Sequence, residues 1–329
     1  MTISKVGKTG ALALALVLAA CGSDGPPVEV SIPSGSGFSE VVDTLSARGI
    51  VGRPGLFTLY ARLRGADREV RAGRYALTPG SSWNRVIRVL TQGNVITVPV
   101  TIPEGFTLTQ MAPRIAEISG VTAGSVLAYL SRDEVVHKLG IPGPTPEGYL
   151  FPDTYRFTPG TRVSTVVETM VDRYRAVWTP ERRASLAEVD MTERELVTLA
   201  SIIQAEARQV QEMPLISGVY HRRLDLGWLL QADPTVLYAL GGPRERLLYA
   251  AIDSVADNPY NTYRQGGLPP GPIGAPGELA IDAALAPEGD YLFFVARPDG
   301  SHVFTRSLAD HNRAKAESQR MREADSGLR

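Results

Sequence analysis

Apolar residues alternate with polar ones in some segments of the chain and recur at helical spacing in others. Residues 28–32 (VEVSI) and 96–102 (ITVPVTI) alternate, which predicts strands that bury one face. Each leads into a Pro/Gly turn and then into a segment with helical periodicity. The pattern therefore predicts strand-turn-helix units in the first third of the chain.

The helical parts of these units form an internal repeat. Residues 35–45, 80–90 and 105–115 align without a gap, and each opens on glycine and has apolar residues at its seventh and eleventh positions. The unit resembles the small LysM carbohydrate-binding fold, although a generic α+β packing unit without a ligand fits the pattern equally well. The irregular spacing of the three copies argues against a solenoid. Small polar residues favour helix N-termini, so the predicted caps are Ser39, Asn84 and Thr109.

Helical periodicity dominates beyond residues 142–146 (PGPTP), which predict a domain boundary. The strongest helix opens near Asp190, where Thr192 and Glu195 have capping-box spacing. Its apolar stripe consists of Leu196, Leu199, Ala200, Ile203 and Ala207. Other predicted elements are helices near 163–178 and 214–226, a buried strand over 291–296 with a hairpin partner at 301–304, and a charged helix after Asn312.

Residues 257–277 (DNPYNTYRQGGLPPGPIGAPG) contain five prolines and five glycines. This composition excludes a helix, because proline removes a backbone donor and glycine disfavours regular structure. The segment is also too rich in aromatic and amide side chains for a slack linker. It predicts a long structured loop.

Composition narrows the class of protein. Hydrophobic residues make up 43% of the 329 positions and charged residues 21%, which is typical of a folded protein of about two domains. The formal net charge of −1 provides no general attraction to nucleic acid. The single cysteine excludes an intramolecular disulfide and a multi-cysteine zinc site.

The N-terminus has the pattern of an export signal. Lys5 and Lys8 precede an apolar run over residues 10–20 that is too short to span a bilayer. Leu18-Ala19-Ala20-Cys21 then resembles a bacterial lipobox, in which Cys21 becomes the lipidated first residue after cleavage. A short uncleaved anchor, or a signal peptide with an incidental cysteine, would also fit. Either way we expect an exported protein.

Glu206 is the leading candidate for chemistry. It follows Ile203 by three residues and Leu199 by seven, so it projects beside the buried stripe. A carboxyl group against an apolar wall retains its proton more readily, as a general acid near neutral pH requires. The alternative is a glutamate on the helix flank that reaches to water.

The sequence lacks the motifs that are typical of several other kinds of active site. The histidines have no metal-ligand spacing, so we predict no metal site, and no GxSxG, GxGxxG or Walker motif indicates a serine hydrolase, a cofactor or a nucleotide. The acidic candidates near the Pro/Gly loops are Glu147, Asp153, Asp233 and Asp257. Asp233 could equally cap the following turn.

Six ordered motifs make the chain similar to one known family. They are EGYLFPDTY at 147–155, LASIIQAE at 199–206, LQADPTVLY at 230–238, PYNTY at 259–263, GLPPGPIGAPG at 267–277, and HVF with HN at 302–312. They resemble the endolytic murein transglycosylases (MltG, YceG-like) over residues 28–315. The resemblance implies an α+β fold with a LysM-like N-terminal region and a membrane-anchored catalytic domain that cuts nascent glycan strands in the periplasm.

The resemblance also implies roles for individual residues. The family's catalytic glutamate falls on Glu206, which would act alone as acid and then as base. Tyr260, Asn261 and Tyr263 would contact sugar, and Gln231 and Asp233 would orient N-acetyl or hydroxyl groups. A purely structural turn role remains an alternative for each of these five residues.

The sequence departs from the family pattern in three places. The first glutamate of the family's catalytic run is Gln204 here, and a usual Glu-Arg pair reads Glu212-Met213. These differences bear on how Glu206 is tuned. A lipobox also stands where family members usually have a membrane-spanning helix, which leaves the choice of membrane open; we expect the inner membrane, with the outer membrane as the alternative for a lipid anchor.

We therefore expect an exported α+β protein that cleaves glycan strands without a cofactor. The predicted parts are a signal peptide (1–20), a tether (21–27), a LysM-like region (28–140), a catalytic domain (141–318) and a charged tail (319–329). The expected partners are peptidoglycan strands, the membrane and peptidoglycan synthases, but not nucleic acid. The rival functions are a non-catalytic peptidoglycan-binding scaffold lipoprotein and a muramidase with a second carboxylate such as Asp233.

Overall fold

The computed structural model describes residues 25–33, 35–93, 95–242, 244 and 247–326. It forms two compact units, one ending at Thr97 and the other beginning at Val98. The predicted signal peptide and the lipobox cysteine Cys21 lie outside the described residues. Within the described part, no helix combines the length and the apolar character needed to cross a bilayer.

The first unit contains the first two copies of the repeat. Its strands pair antiparallel, with Val28 opposite Leu77 and Ile32 opposite Gly73. The helices cover one face of this two-stranded sheet and enclose a core around Leu45, Tyr75 and Leu90. The elements are β1 (Val28–Ile32), α1 (Phe38–Ala47), α2 (Pro54–Leu63), a 3-10 turn (Ala66–Arg68), β2 (Gly73–Leu77) and α3 (Trp83–Gln92). The strand-turn-helix reading is confirmed for this unit, whereas its likeness to LysM stays a prediction.

The repeat helices begin earlier than predicted, so the three expected caps are wrong. The glycine that opens each copy has a left-handed backbone, as at Gly80 (φ 76°), and the chain enters the helix three residues later. Serine and threonine hydroxyls two positions before the expected caps accept the free N–H groups. Ser39, Asn84 and Thr109 therefore lie inside the helices, and the observed N-caps are Gly37, Ser82 and Thr107.

The second unit is mainly helical and has two small antiparallel sheets. One pairs β3 with β4, and the other is a β5–β6 hairpin. The predicted hairpin is confirmed, although its first strand is half-buried instead of buried. The elements are β3 (Val98–Thr101), α4 (Leu108–Ser119), α5 (Ala123–Leu130), α6 (Asp133–Leu139), β4 (Thr154–Phe157), α7 (Val163–Val177), α8 (Pro180–Glu188), α9 (Glu193–Glu206), α10 (Met213–Asp225), α11 (Asp233–Ala239), α12 (Tyr249–Ser254), α13 (Glu278–Leu285), β5 (Phe293–Ala296), β6 (His302–Thr305) and α14 (Leu308–Ser326).

Helix α9 is the central element of this unit. Its capping box of Thr192 and Glu195 forms as predicted, and every residue from Leu196 to Ile203 is buried. Such all-round burial exceeds the one-sided stripe that the sequence indicated. Helices α10 and α13 pack against α9, and Ala207 caps its C-terminus. Glu206, the last residue of α9, is thus carried by the most enclosed helix of the unit.

The Pro/Gly segment at 257–277 has no helix, as predicted, and backbone hydrogen bonds hold it against the unit. Ala275 N–H donates to the Phe106 carbonyl, and Ile273 N–H donates to the Ser201 hydroxyl on α9. A side chain at Gly274 would place its Cβ 2.7 Å from the Gly105 carbonyl oxygen, so only glycine fits at this crossing. The loop is therefore an ordered wall.

The compact units divide at 97/98, not near the predicted boundary at 140/141. Residues 102–139 share one hydrophobic core with residues 150–171. The intervening Pro/Gly stretch packs inward, with Gly143 against the ring of Tyr149. The stretch therefore works as a loop within a core, although its composition resembles a linker. The functional division into a LysM-like region and a catalytic domain stays a prediction, while the α+β class is confirmed.

Candidate active site

Glu206 lies half-buried where α9 ends and the chain turns back into α10. Its Oε1 accepts a hydrogen bond of 2.7 Å from the Tyr220 hydroxyl. Tyr220 lies on α10 with 1% of its surface exposed, so the donor is fixed by packing. One oxygen of the carboxyl group is therefore occupied by the protein, and the other is left to carry the proton.

The surroundings of Glu206 favour its protonated form. Burial raises the pKa of Glu206 to about 7, and the negative charge of Asp233 adds to the increase. The hydrogen bond from Tyr220 and the positive charge of Arg223 oppose it by stabilising the carboxylate. A group with this pKa can both give and take a proton near neutral pH.

Arg223 places a buried cation behind the site. Its Nε donates to the Leu292 carbonyl at 2.9 Å and its Nη1 donates to the Leu230 carbonyl at 2.6 Å. Burial lowers the pKa of Arg223, and the charge on Glu206 partly offsets that effect. Arg223 thus connects the residues just before β5 and those just before α11 to α10, the helix that also carries Tyr220.

Asp233, Tyr263 and Gln231 form an exposed polar rim. The Tyr263 hydroxyl donates to Asp233 Oδ1 at 2.5 Å. Burial raises the pKa of Tyr263, and the charges of Asp233 and Glu206 add to the increase. Gln231 has a left-handed backbone (φ 51°), and its N–H donates to the Thr262 carbonyl. The structure therefore brings Glu206, Asp233 and Tyr263 into one electrostatic neighbourhood, and Gln231 lies two residues before Asp233 in the same turn.

Asn261 builds the turn beneath this rim. Its side chain is fully buried, and its Nδ2 donates to the carbonyls of Ile252 and Val255. Its Oδ1 accepts from the Tyr263 N–H. The hydrogen bonds of the Asn261 amide are thus all directed to the backbone, which favours the structural turn role over a direct sugar contact.

Tyr260 belongs to a second buried cluster. Its ring lies 4.9 Å from that of Tyr238, whose hydroxyl donates to Glu147 at 3.2 Å. Glu147 is 4% exposed and also accepts from the Leu108 N–H at the start of α4. Burial raises the pKa of Glu147 to about 7. A second titratable carboxyl therefore lies beneath the side chains of the loop wall, out of reach of solvent.

Neither Asp153 nor Asp257 is among the groups that act on the pKa of Glu206. Asp153 pairs with Arg173 at 2.8 Å, which lowers the pKa of the carboxyl group, and Asp257 is exposed. No set of three or more His, Cys, Asp or Glu in the described part of the chain could hold a metal ion.

The two residues that depart from the family pattern, Gln204 and Met213, both contact other parts of the second unit. The Gln204 side chain accepts from the Gly277 N–H at 3.0 Å and so anchors the end of the Pro/Gly wall. Met213 is buried in the core. Its neighbour Glu212 makes a buried pair with His302.

Sequence reasoning missed Tyr220 and Arg223. Both lie on the face of α10 that begins with Ile216, at the spacing i, i+4, i+7. A tyrosine and an arginine on the buried face of a helix have polar ends that need partners inside the protein. That spacing within the predicted helix at 214–226 was the available signal.

Comparison with known proteins places these features in a family context. The YceG-like family model matches residues 30–317. The endolytic murein transglycosylase of Bacillus subtilis is 33% identical over 305 residues, which cover 88% of this chain and 84% of that protein. The endolytic murein transglycosylase of Streptococcus pneumoniae D39 is 30% identical, and the match spans 58% of its length. A 2.6 Å crystal structure of a yceG-like protein from Listeria monocytogenes superposes with a TM-score of 0.61 at 31% identity, covering 88% of this chain and 98% of that one.

Proposed function

The chain belongs to the YceG-like family and is a lytic transglycosylase, and from this premise we propose that it cleaves the β-1,4 bond between MurNAc and GlcNAc within nascent glycan strands and leaves 1,6-anhydro-MurNAc ends. The observation that carries the proposal is the position of Glu206 at the end of the buried helix α9. Its carboxyl has a pKa of about 7 and a single fixed donor.

Glu206 performs both proton transfers in this mechanism. Protonated Glu206 gives its proton to the glycosidic oxygen as the bond from MurNAc C1 breaks. The resulting carboxylate takes the proton of the MurNAc C6 hydroxyl, whose oxygen then bonds to C1 and closes the anhydro ring. The carboxyl ends in its starting state, so one group suffices, whereas a hydrolase needs two carboxylates to activate water separately.

The hydrogen bond from Tyr220 determines which oxygen does the work. Because Oε1 accepts from the Tyr220 hydroxyl, the transferable proton resides on Oε2. Tyr220 and Arg223 stabilise the carboxylate formed after the first transfer, while burial favours recovery of the proton in the second. The same surroundings therefore support both halves of the reaction.

The exposed rim, together with the partly buried Tyr260, supplies contacts to the glycan strand. We assign sugar contacts to Gln231, Asp233, Tyr260 and Tyr263, with Asn261 acting through the turn that it stabilises. The hydroxyl of Tyr263 and the carboxylate of Asp233 are suited to sugar hydroxyl and N-acetyl groups, and the exposed part of the Tyr260 ring is suited to stacking on a sugar face.

The proposal includes a location for the reaction. Lipidation at Cys21 would anchor the protein in the inner membrane, with the catalytic unit in the periplasm beside newly made strands and their synthases. Retention in the outer membrane is the alternative that a lipid anchor allows. A LysM-like region over residues 28–140 would hold the same glycan.

The test uses soluble protein beginning at Ser23 and uncrosslinked glycan strands, with products identified by mass spectrometry. Wild type and Glu206→Gln are run together with Glu188→Gln, a matched control in which the exposed last glutamate of α8 is replaced. We expect anhydro-MurNAc ends from wild type and the control but not from Glu206→Gln.

Two other outcomes would overturn the proposal in different ways. Products heavier by one water would identify a muramidase and direct attention to Asp233 as its second carboxylate. Binding of glycan without cleavage by folded wild type would identify a scaffold lipoprotein.

A further inference from the structure

A buried carboxylate–imidazole pair lies just beyond Glu206 in the chain. His302 Nδ1 is 2.7 Å from Glu212 Oε2, and the His302 N–H donates to Glu212 Oε1 at 3.0 Å. The side chains are 3% and 12% exposed, respectively. Both oxygens of Glu212 are thus used on one residue, at the first position of β6.

The pair joins the turn after Glu206 to the β5–β6 hairpin. Glu212 ends the 3-10 turn Val210–Glu212, which begins four residues after the end of α9 and leads directly into α10. Arg208, two residues after Glu206, lies close to Gly300 in the hairpin turn. The segment that determines where α9 ends is therefore fixed to β6 through Glu212.

The hairpin also reaches the hydrogen-bond donor of Glu206. The His302 ring meets the Phe294 ring edge-on at 5.3 Å, and Phe294 in turn meets the Tyr220 ring edge-on at 5.9 Å. Tyr220 donates to Glu206. A continuous line of contacts thus runs from Glu212 through His302, Phe294 and Tyr220 to the acid.

We propose that Glu212 and His302 form a positioning pair for Glu206, a role that rests on the proposed function of Glu206 as the acid. The pair acts on Glu206 along two routes, through the main chain of the turn and through the ring stack behind Tyr220. Neither residue touches substrate in this role. What matters is where the carboxyl of Glu212 lies, more than its charge.

Two substitutions of Glu212 separate position from charge. Glu212→Gln keeps the length of the side chain, so its oxygen still accepts from the His302 backbone N–H, and its amide nitrogen is a donor for Nδ1 in the tautomer that carries the ring proton on Nε2. Glu212→Asp keeps the charge but withdraws the carboxyl by one methylene. Because a displacement of about 1 Å can cost about 100-fold in rate, we expect kcat about tenfold or more below wild type for Asp and within about threefold for Gln, with KM nearly unchanged in both.

A matched control lies on the same hairpin. Asp290 and Arg306 flank β5 and β6 and pair at the surface, where their side chains are 69% and 62% exposed. Asp290→Glu changes side-chain length by one methylene, here by adding it, and Asp290→Asn removes the charge at constant length. Neither substitution touches the route to Tyr220. Both should retain the kcat of wild type.

A second measurement follows Glu206 without catalysis. In protein labelled with ¹³C at the glutamate carboxyls, the Glu206 signal is the one lost in Glu206→Gln. The groups that act on its pKa are Tyr220, Asp233 and Arg223, and none of them is altered by the Glu212 variants. Loosening the Tyr220 contact removes a donor from the carboxylate, so we expect Glu212→Asp to raise the titration midpoint of Glu206 and Glu212→Gln to leave it in place.

The outcomes distinguish this inference from the proposed function. A higher kcat for Asp than for Gln would show that the charge of Glu212 matters instead of its position. Wild-type kcat and an unchanged Glu206 midpoint in both variants would remove the pair from the mechanism while leaving Glu206 as the acid. If wild type cleaves no glycan, the proposed function fails, and the carboxyl titration alone still decides whether the pair positions Glu206.

Discussion

Replacing Tyr220 with phenylalanine removes one hydroxyl from the site and keeps the packed ring. That hydroxyl donates to Glu206 at 2.7 Å and stabilises the charged carboxylate. A hydrogen bond to a charged group contributes about 1.5–3 kcal/mol. Since one pKa unit corresponds to about 1.4 kcal/mol, the Tyr220→Phe substitution should raise the pKa of Glu206 by about one to two units.

This shift has a defined effect on the pH profile. In the proposed mechanism the first step requires protonated Glu206, so kcat/KM of wild type should fall as pH rises through about 7. In Tyr220→Phe the midpoint of that upper limb should move up by about one to two pH units, because the acid keeps its proton longer. The maximum rate should fall as well, since Oε1 is no longer held.

The assay is kcat/KM for release of anhydro-MurNAc ends between pH 5 and 9, with thermal unfolding as a check on folding. Tyr174→Phe is the matched control, because Tyr174 is buried and donates to Glu193 at 2.6 Å elsewhere in the same unit. It should lower stability without moving the profile. An unmoved upper limb in folded Tyr220→Phe would refute the reasoning, either for Tyr220 as the tuning donor or for Glu206 as the titrating acid.

Two further predictions concern stability. Burial raises the folded-state pKa of Glu147 from 4.5 to about 7, so the folded state binds this proton more tightly than the unfolded state and should lose stability as pH rises through that window. Glu147→Gln should reduce the dependence of the unfolding free energy on pH by up to about 1.4 kcal/mol per pH unit. Urea unfolding at pH 5 and pH 8 measures this difference. A slope equal to that of wild type would contradict the burial argument. Gly274→Ala should lower the free energy of unfolding by about 1–3 kcal/mol, because its Cβ would lie 2.7 Å from the Gly105 carbonyl oxygen. Gly266→Ala is the control, since a Cβ at that position meets open space. Equal melting temperatures for the two variants would show that the loop shifts to accommodate the methyl group.

The sequence predicted well what depends on local pattern. The capping box of Thr192 and Glu195, the buried stripe of α9 and the hairpin near the C-terminus follow from periodicity and short-range hydrogen bonding, and each forms. The caps of the repeat helices were misplaced because at least three polar residues lie within two positions of each start. The left-handed glycine, which decides among them, becomes visible only as a backbone angle.

What depends on long-range packing was not predictable. Asn261 lies in a motif that suggests sugar binding, yet its side-chain Nδ2 donates hydrogen bonds to the backbone carbonyls of Ile252 and Val255. Tyr220 and Glu206 lie 14 positions apart and meet only because the chain reverses after α9. The link from Glu212 to His302 spans 90 positions and joins elements whose pairing no periodicity indicates.

The position of Glu206 at the end of α9 contributes to its raised pKa. The C-terminal end of a helix carries partial negative charge from unsatisfied carbonyls, and this field opposes ionisation of a carboxyl located there. Helix α9 is buried from Leu196 to Ile203, and burial of the Glu206 carboxyl acts in the same direction as this field. Tyr220 and Arg223 act in the opposite direction. A carboxyl that first gives and then takes a proton needs a pKa held between these two effects. Burial alone would raise the pKa so far that the group stays protonated, and the donors alone would lower it so far that the group stays ionised. Variants on the two sides should therefore shift the pKa of Glu206 in opposite senses, upward when Tyr220 or Arg223 is lost and downward when water enters around the carboxyl.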